Sequence, residues 1–197
     1  MVMRGLGAVL LVAAGVLVAG CTGEAAPVEP TRVTTPEVSE SATPTPSPTP
    51  AADVTVPPER PAAMATPSAE GAAAAASYFI SLYPYVLATG DLTEWNAMST
   101  ETCDFCTNTR TEVDQLQSAG LRSIGGVEVM SASGKALGSH NWYAADLSVR
   151  MAPSTDVEAD GTVVATNDGG EYDLNFAMTW SDRWIIDSAG IVTAPTE

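Results

Sequence analysis

The stretch Tyr172-Asp-Leu174-Asn-Phe176-Ala-Met178-Thr-Trp180 puts a large apolar residue at every second position, separated by Asp173, Asn175, the small Ala177 and Thr179. Strict alternation marks a strand with one buried and one solvated face. Ser181-Asp182-Arg183 follows as a hairpin turn, and Arg183 to Ile191 reads as the returning strand. The pattern repeats upstream. In Asn141 to Met151, Tyr143, Ala145, Leu147, Val149 and Met151 share one face, with Trp142, Asp146, Ser148 and Arg150 on the other. Ile124 to Ala132, with Val127 and Val129, reads as a further strand. Thr162 to Ala165, between the turn signals Asp160-Gly161 and Asn167-Asp168-Gly169-Gly170, reads as a short strand or flap. One-faced alternation predicts an antiparallel sheet of about four strands whose apolar face is covered.

The cover lies before Gly120, where the period is 3.6. Thr66-Pro67 reads as a cap and first position of a helix. Ala72, Ala75, Ala76, Phe79, Leu82, Tyr83 and Val86 recur at helical spacing, Pro84 is expected to kink the helix near its end, and Gly90 to stop it. Asp91-Leu-Thr-Glu94 reads as a capping box for a short helix through Trp95 to Met98. A third helix, from about Thr102 to Ala119, puts Phe105, Thr109, Val113 and Leu116 on one stripe and ends at Gly120. Helices first and sheet after predict an α+β fold, with about three helices packed on the sheet.

Two unlike segments precede this body. Residues 1–20 carry one charge, Arg4, then an apolar run too short to span a bilayer. A charged start, an apolar middle and small residues at the end read as a signal peptide. Its end, Leu17-Val18-Ala19-Gly20-Cys21, resembles a bacterial lipobox. In lipoproteins of that kind the Cys thiol is acylated, so Cys21 is the expected lipidation site and the route to the membrane. Residues 21–67 hold 11 of the 14 prolines and no aromatic residue. Such a chain cannot bury enough surface to offset its ordering entropy. It reads as a disordered Thr/Pro-rich tether, with Thr43 to Pro50 resembling an O-glycosylated stalk. A Pro-rich ligand for a recognition domain is the weaker reading, since no flanking Arg accompanies the clusters.

All 12 aromatics lie in residues 68–197, with 18 acids against 5 bases, a net of −13 out of −16 for the chain. That balance excludes nucleic acid as a partner, because binding there needs Lys and Arg on phosphates. One His and three Cys make a structural metal site hard to build, and no cofactor motif is present.

Several short matches point to a family. Tyr78-Phe79, Ala88-Thr89-Gly90-Asp91, Ala177-Met178-Thr179-Trp180 and Arg183-Trp184-Ile185-Ile186-Asp187, in this order, resemble NTF2-like (SnoaL-like) folds. There a curved antiparallel sheet wraps a long first helix to make a cone. With its lipobox, Thr/Pro linker and Cys103-x-x-Cys106, the whole chain resembles a family of actinobacterial lipoproteins catalogued as a domain of unknown function. The resemblance implies a fold and a location and no activity.

Cys103-Asp-Phe-Cys106 is the sharpest chemical motif. Outside the cytoplasm two thiols so close are expected to form a disulfide. A redox role would need a βαβ setting and a lowered thiol pKa, which Glu101 and Asp104 oppose. Zinc would need two further ligands, and only His140, the one histidine, is in sight. For an acid in the cone the candidates by residue type are Asp146, Asp173 and Asp187, but alternation puts the first two on the solvated face. Asp156, Glu158, Asp160, Asn167 and Asp168 do not follow calcium-loop spacing; an acidic flap that discourages edge pairing accounts for them. Tyr78, Trp142 and Tyr143 are the candidate ligand-binding aromatics, with Tyr83 and Tyr85 beside them. The expected function is non-catalytic binding of a small apolar ligand in the cone or of an envelope protein. The alternatives are an isomerase or hydratase using an acid in the cone, and a structural accessory lipoprotein.

Overall fold

The computed structural model describes residues 53–138 and 141–192. Cys21, the signal peptide, the tether before residue 53, and His140 lie outside them. The first long element is α1, Ala69–Thr89. Its cap is Ser68, whose Oγ accepts from the Gly71 N–H at 3.0 Å. The cap falls two residues later than Thr66, because the proline after Thr66 keeps it extended. Pro84 does not end α1; the helix runs on to Gly90, which takes φ +77° and donates its N–H to the Val86 carbonyl. The expected capping box does not form. Asp91 Oδ1 accepts from the Thr93 N–H at 3.0 Å and so opens α2, Thr93–Met98, while Glu94 pairs outward with Arg60. The third helix, α3, spans Asp104–Ser118, with Cys103 Sγ accepting from the Cys106 N–H at its start.

The sheet departs from the expected four strands. There are seven: β1 Arg122–Ile124, β2 Val127–Ala136, β3 Trp142–Met151, β4 Ser154–Val157, β5 Val163–Asn167, β6 Gly170–Trp180 and β7 Trp184–Ile191. They form two antiparallel sheets, β1-β4-β5 and β2-β3-β6-β7. The small sheet repeats the order of the large one, because each of its strands is the broken-off end of a neighbour. β1 leads into β2 across Gly125-Gly126, β3 into β4 across Ala152-Pro153, and β5 into β6 across Asp168-Gly169. These breaks lie side by side. Val127 pairs with Met151 and Met151 with Gly170 on one side; Ile124 pairs with Thr155 and Ser154 with Asn167 on the other. Pro153 has no N–H to give the ladder, so the middle strand must break there. Glycine permits the close approach beside it: a Cβ on Gly125 would lie 2.6 Å from Ser154 Cβ, and one on Gly169 would lie 2.3 Å from the Met151 carbonyl. The result is a crease across three strands.

The apolar face of the large sheet packs on α1, chiefly through β2 and β3. The Ala-rich helix face serves this contact: Ala72, Ala75 and Ala76 are fully buried. Gly134 on β2 comes so close that a Cβ would meet the Ala69 carbonyl at 1.8 Å. Toward the other end of α1, Phe79 stacks on Trp95 with centroids 4.1 Å apart and meets Phe176 edge-on. Full burial of such a side chain contributes about 1.5–3 kcal/mol. Buried indole donors are satisfied: Trp95 Nε1 donates to the Cys106 carbonyl at 3.2 Å, and Trp184 Nε1 to the Met64 carbonyl at 2.9 Å. The latter bond, the Tyr143 hydroxyl on the Pro67 carbonyl and buried Met64 dock residues 61–67 on the sheet. The folded body therefore begins before Ser68.

Candidate functional site

A cavity of about 390 Å³ opens at the crease. The second half of α1 provides Ile80, Tyr83, Pro84 and Leu87, and α3 provides Phe105 and Glu112. The opposite wall is the crease itself: Gly125 and Gly126, Met151 and Ala152, Asn167 and Asp168. Leu174 and Tyr172 of β6 and Ile191 of β7 complete one side; Ser123, Ser154 and Asp156 of the small sheet complete the other. Leu87 and Leu174 are buried, whereas Ala152, Asp168, Tyr172 and Ile191 are exposed, so the floor is apolar and the mouth wet. Glycine at the crease leaves open the space that side chains would fill.

Polar groups converge on this space. The Tyr83 hydroxyl donates to Glu112 Oε2 at 3.3 Å. Burial pushes the Tyr83 phenol well above its ordinary value, and the Glu112 charge and hydrogen bond push the same way. Burial of the Glu112 carboxyl likewise raises its pKa, with the Tyr83 hydrogen bond opposing and the Asp156 charge adding to the rise. Glu112 as a residue is exposed, so this is a carboxylate at the rim with part of its water withdrawn. Ser123 is 95 % buried by its 5 % residual exposure. The residue lines the cavity, and its hydroxyl has no hydrogen-bond partner among the described residues. No fully sealed side-chain oxygen among those residues goes unpaired, so this one opens on the cavity.

Of the aromatics named from sequence as ligand-binding candidates, Tyr78, Tyr83, Tyr85, Trp142 and Tyr143, Tyr83 alone lines the cavity. Tyr78 is buried on the far side of α1 with Arg60 over its ring at 5.3 Å. Tyr143 is buried and packs edge-on against Trp184. Trp142 is 59 % exposed, as its strand phase requires. None of these three lines the cavity: Trp142 and Tyr143 sit at the end of β3 remote from the crease, and Tyr78 on α1 packs under Arg60. Asp146 and Asp173 lie on the solvated face, accepting from Asn175 and Ser148. Asp187 accepts from the Thr179 hydroxyl at 2.7 Å. The cysteines form the expected disulfide, Cys103–Cys106, with both residues fully buried at the start of α3. Among the described residues no group of three or more His, Cys, Asp or Glu could hold a metal ion. Asp156 and Asp168 line the cavity, while Asp160 Oδ1 accepts from the Thr162 N–H in the β4–β5 turn. Glu112, Ser123 and the crease were missed as site residues. The signals were a Gly-Gly inside an expected strand and a proline two residues past Met151.

A family model described as a family of unknown function, DUF6318, matches residues 41–190. The chain belongs to that family. The match includes α1, the disulfide, the crease and every residue named above on the cavity except Ile191. The resemblance to a family without an assigned activity is thus borne out, and no curated protein matches this DUF6318 member. Among solved structures, the intermembrane space region of the chloroplast protein ARC6 is similar, with a TM-score of 0.51 at 10 % identity over 64 % of this chain and 98 % of that one. A protein with a cystatin-like fold from Caulobacter vibrioides superposes with a TM-score of 0.40 at 9 % identity, over 62 % of this chain and 91 % of that one. An NTF2-like protein involved in plasmid conjugation gives 0.25 at 15 % identity, over 53 % and 46 %. The first shows a shared fold and nothing of activity.

Proposed function

We propose that this DUF6318 member is a lipid-anchored extracytoplasmic binding module that takes a small ligand with an apolar body into the crease cavity. The observation that carries the reading is the 390 Å³ cavity with its apolar floor, within the size range of small-molecule sites. The anchor is read from Leu17 to Cys21, and the Pro-rich chain between Cys21 and the docked residues 61–67 acts as the tether that holds the module, in an NTF2-like build, away from the bilayer. Two or more acyl chains on Cys21 would give stable attachment where one is marginal. The alternative, an isomerase or hydratase, is favoured by one observation only, the raised carboxyl of Glu112 at the cavity rim.

Two experiments test this. Cys21→Ser is expected to move the protein from the membrane fraction to the soluble fraction; membrane partition at unchanged mature size would overturn the anchor. The full chain carrying Cys21→Ser is then titrated calorimetrically with 3-phenylpropan-1-ol, with an expected Kd at or below about 1 mM for so small a probe. Ala152→Trp, which fills the exposed mouth without entering the core, is expected to abolish the signal. Binding that survives Ala152→Trp unchanged would place the ligand elsewhere.

A further inference from the structure

Three carboxylates and no Lys, Arg or His line the cavity among the described residues: Glu112, Asp156 and Asp168. None takes part in the ion pairs of those residues, which join Arg60 to Glu94 and Arg150 to Glu128 and Glu171. The aromatic side chains of Tyr83, Phe105 and Tyr172 lie on the same walls. A second, independent observation is Ser123, a 95 % buried residue on the cavity wall whose hydroxyl has no hydrogen-bond partner among the described residues. A hydroxyl that is not sealed and has no partner among the described residues offers a ligand a hydrogen bond.

These features select among ligand chemistries. A wholly apolar ligand would leave the Ser123 oxygen and all three carboxylates unused. An anion would meet three like charges on a module of net charge −13. A bare metal ion lacks a cluster of ligands, and the carboxylates surround an apolar floor. A protonated amine answers each feature. Its charge is compensated by carboxylates, its N–H groups find the Ser123 and Tyr83 oxygens as acceptors, and aromatic faces attract a cation. We propose that the ligand is an organic ammonium, its apolar body on Leu87 and Leu174 and its charged head among Glu112, Asp156 and Ser123. This rests on the binding reading above.

The test uses the full chain carrying Cys21→Ser and three probes of one body: 3-phenylpropylamine, 3-phenylpropan-1-ol and 3-phenylpropionate. The amine is expected to bind about tenfold more tightly than the alcohol, the scale of one partly desolvated cation contact, and the anion more weakly than either. Glu112→Gln and Asp156→Asn are each expected to lower the ratio of amine to alcohol affinity severalfold; a ratio unchanged in both variants overturns the ammonium inference. Added salt is expected to weaken the amine and not the alcohol. Equal binding of amine and alcohol, or a preference for the anion, overturns the ammonium inference and leaves the cavity as a binding site. Absence of binding by all three overturns the binding reading itself.

Discussion

At the residue scale, two acids with opposite pKa shifts give opposite expectations. Asp91 is held below its ordinary value by hydrogen bonds from Thr93, with Tyr85 adding a third. A carboxylate lowered on folding contributes stability above its unfolded pKa and loses it as pH falls through the folded value. Asp91→Ala is expected to cost about 1 kcal/mol in denaturant unfolding at neutral pH, the scale of a lost helix cap, and less as pH falls through the lowered folded value. Glu112 is the reverse. Burial raises its pKa, so its charged form opposes folding above that pKa, and the cost disappears as pH falls below the unfolded value. Glu112→Gln is therefore expected to leave Tm equal or higher at neutral pH, with the difference closing in the ordinary carboxylate range. A clearly lower Tm at neutral pH would mean that Glu112 is structural. The part Asp91 plays at the start of α2 was legible in Asp91-Leu-Thr-Glu94, although Glu94 does not complete the box; Glu112 is an unremarkable acid until Tyr83 and the crease are brought beside it.

At the scale of elements, β3 and β6 were legible because β3 buries one face along most of its length and β6 does so from Leu174 on, so that period 2 is imposed there. The stop of α1 was legible in Gly90, where a left-handed residue is needed. The split of the sheet was not. Ile124 to Ala132 reads as one strand because Gly125-Gly126 interrupts it without changing the alternation around it. β4 was missed because Ser154-Thr-Asp-Val157 is short and half-exposed, and such strands carry little pattern. The crease makes a specific expectation. Gly125→Ala puts a methyl 2.6 Å from Ser154 Cβ, and overpacking of this kind costs about 1–3 kcal/mol. Ser154→Gly in the same chain is expected to recover part of the loss, a double-mutant coupling of about 0.5–3 kcal/mol; strict additivity would show that the two strands do not press there. The disulfide closes a short loop at the start of α3, so Cys103→Ser with Cys106→Ser is expected to cost no more than about 2 kcal/mol. The loss is expected to appear as faster amide exchange in α2 and α3, with β3 and β6 unchanged.

At the scale of the molecule, the helices-then-sheet order and the solvated face of Asp146 and Asp173 followed from periodicity alone. The cavity did not, because it is made by three breaks that meet only when β1, β3 and β5 are placed in register. The aromatics expected to line a cone went instead to the far end of the sheet, where Tyr143 and Trp184 hold residues 61–67. The charge of −13 on the module acquires a local meaning at the crease, where three acids stand without a base. The claim that the crease cavity is a ligand site is tested most directly by an amide chemical-shift map of the full Cys21→Ser chain titrated with 3-phenylpropan-1-ol. The account expects saturable shifts centred on Ser123, Gly125, Gly126 and Asn167, with Trp142 and Lys135 unmoved. Shifts centred on Trp142, or none at the crease at millimolar probe, would contradict it.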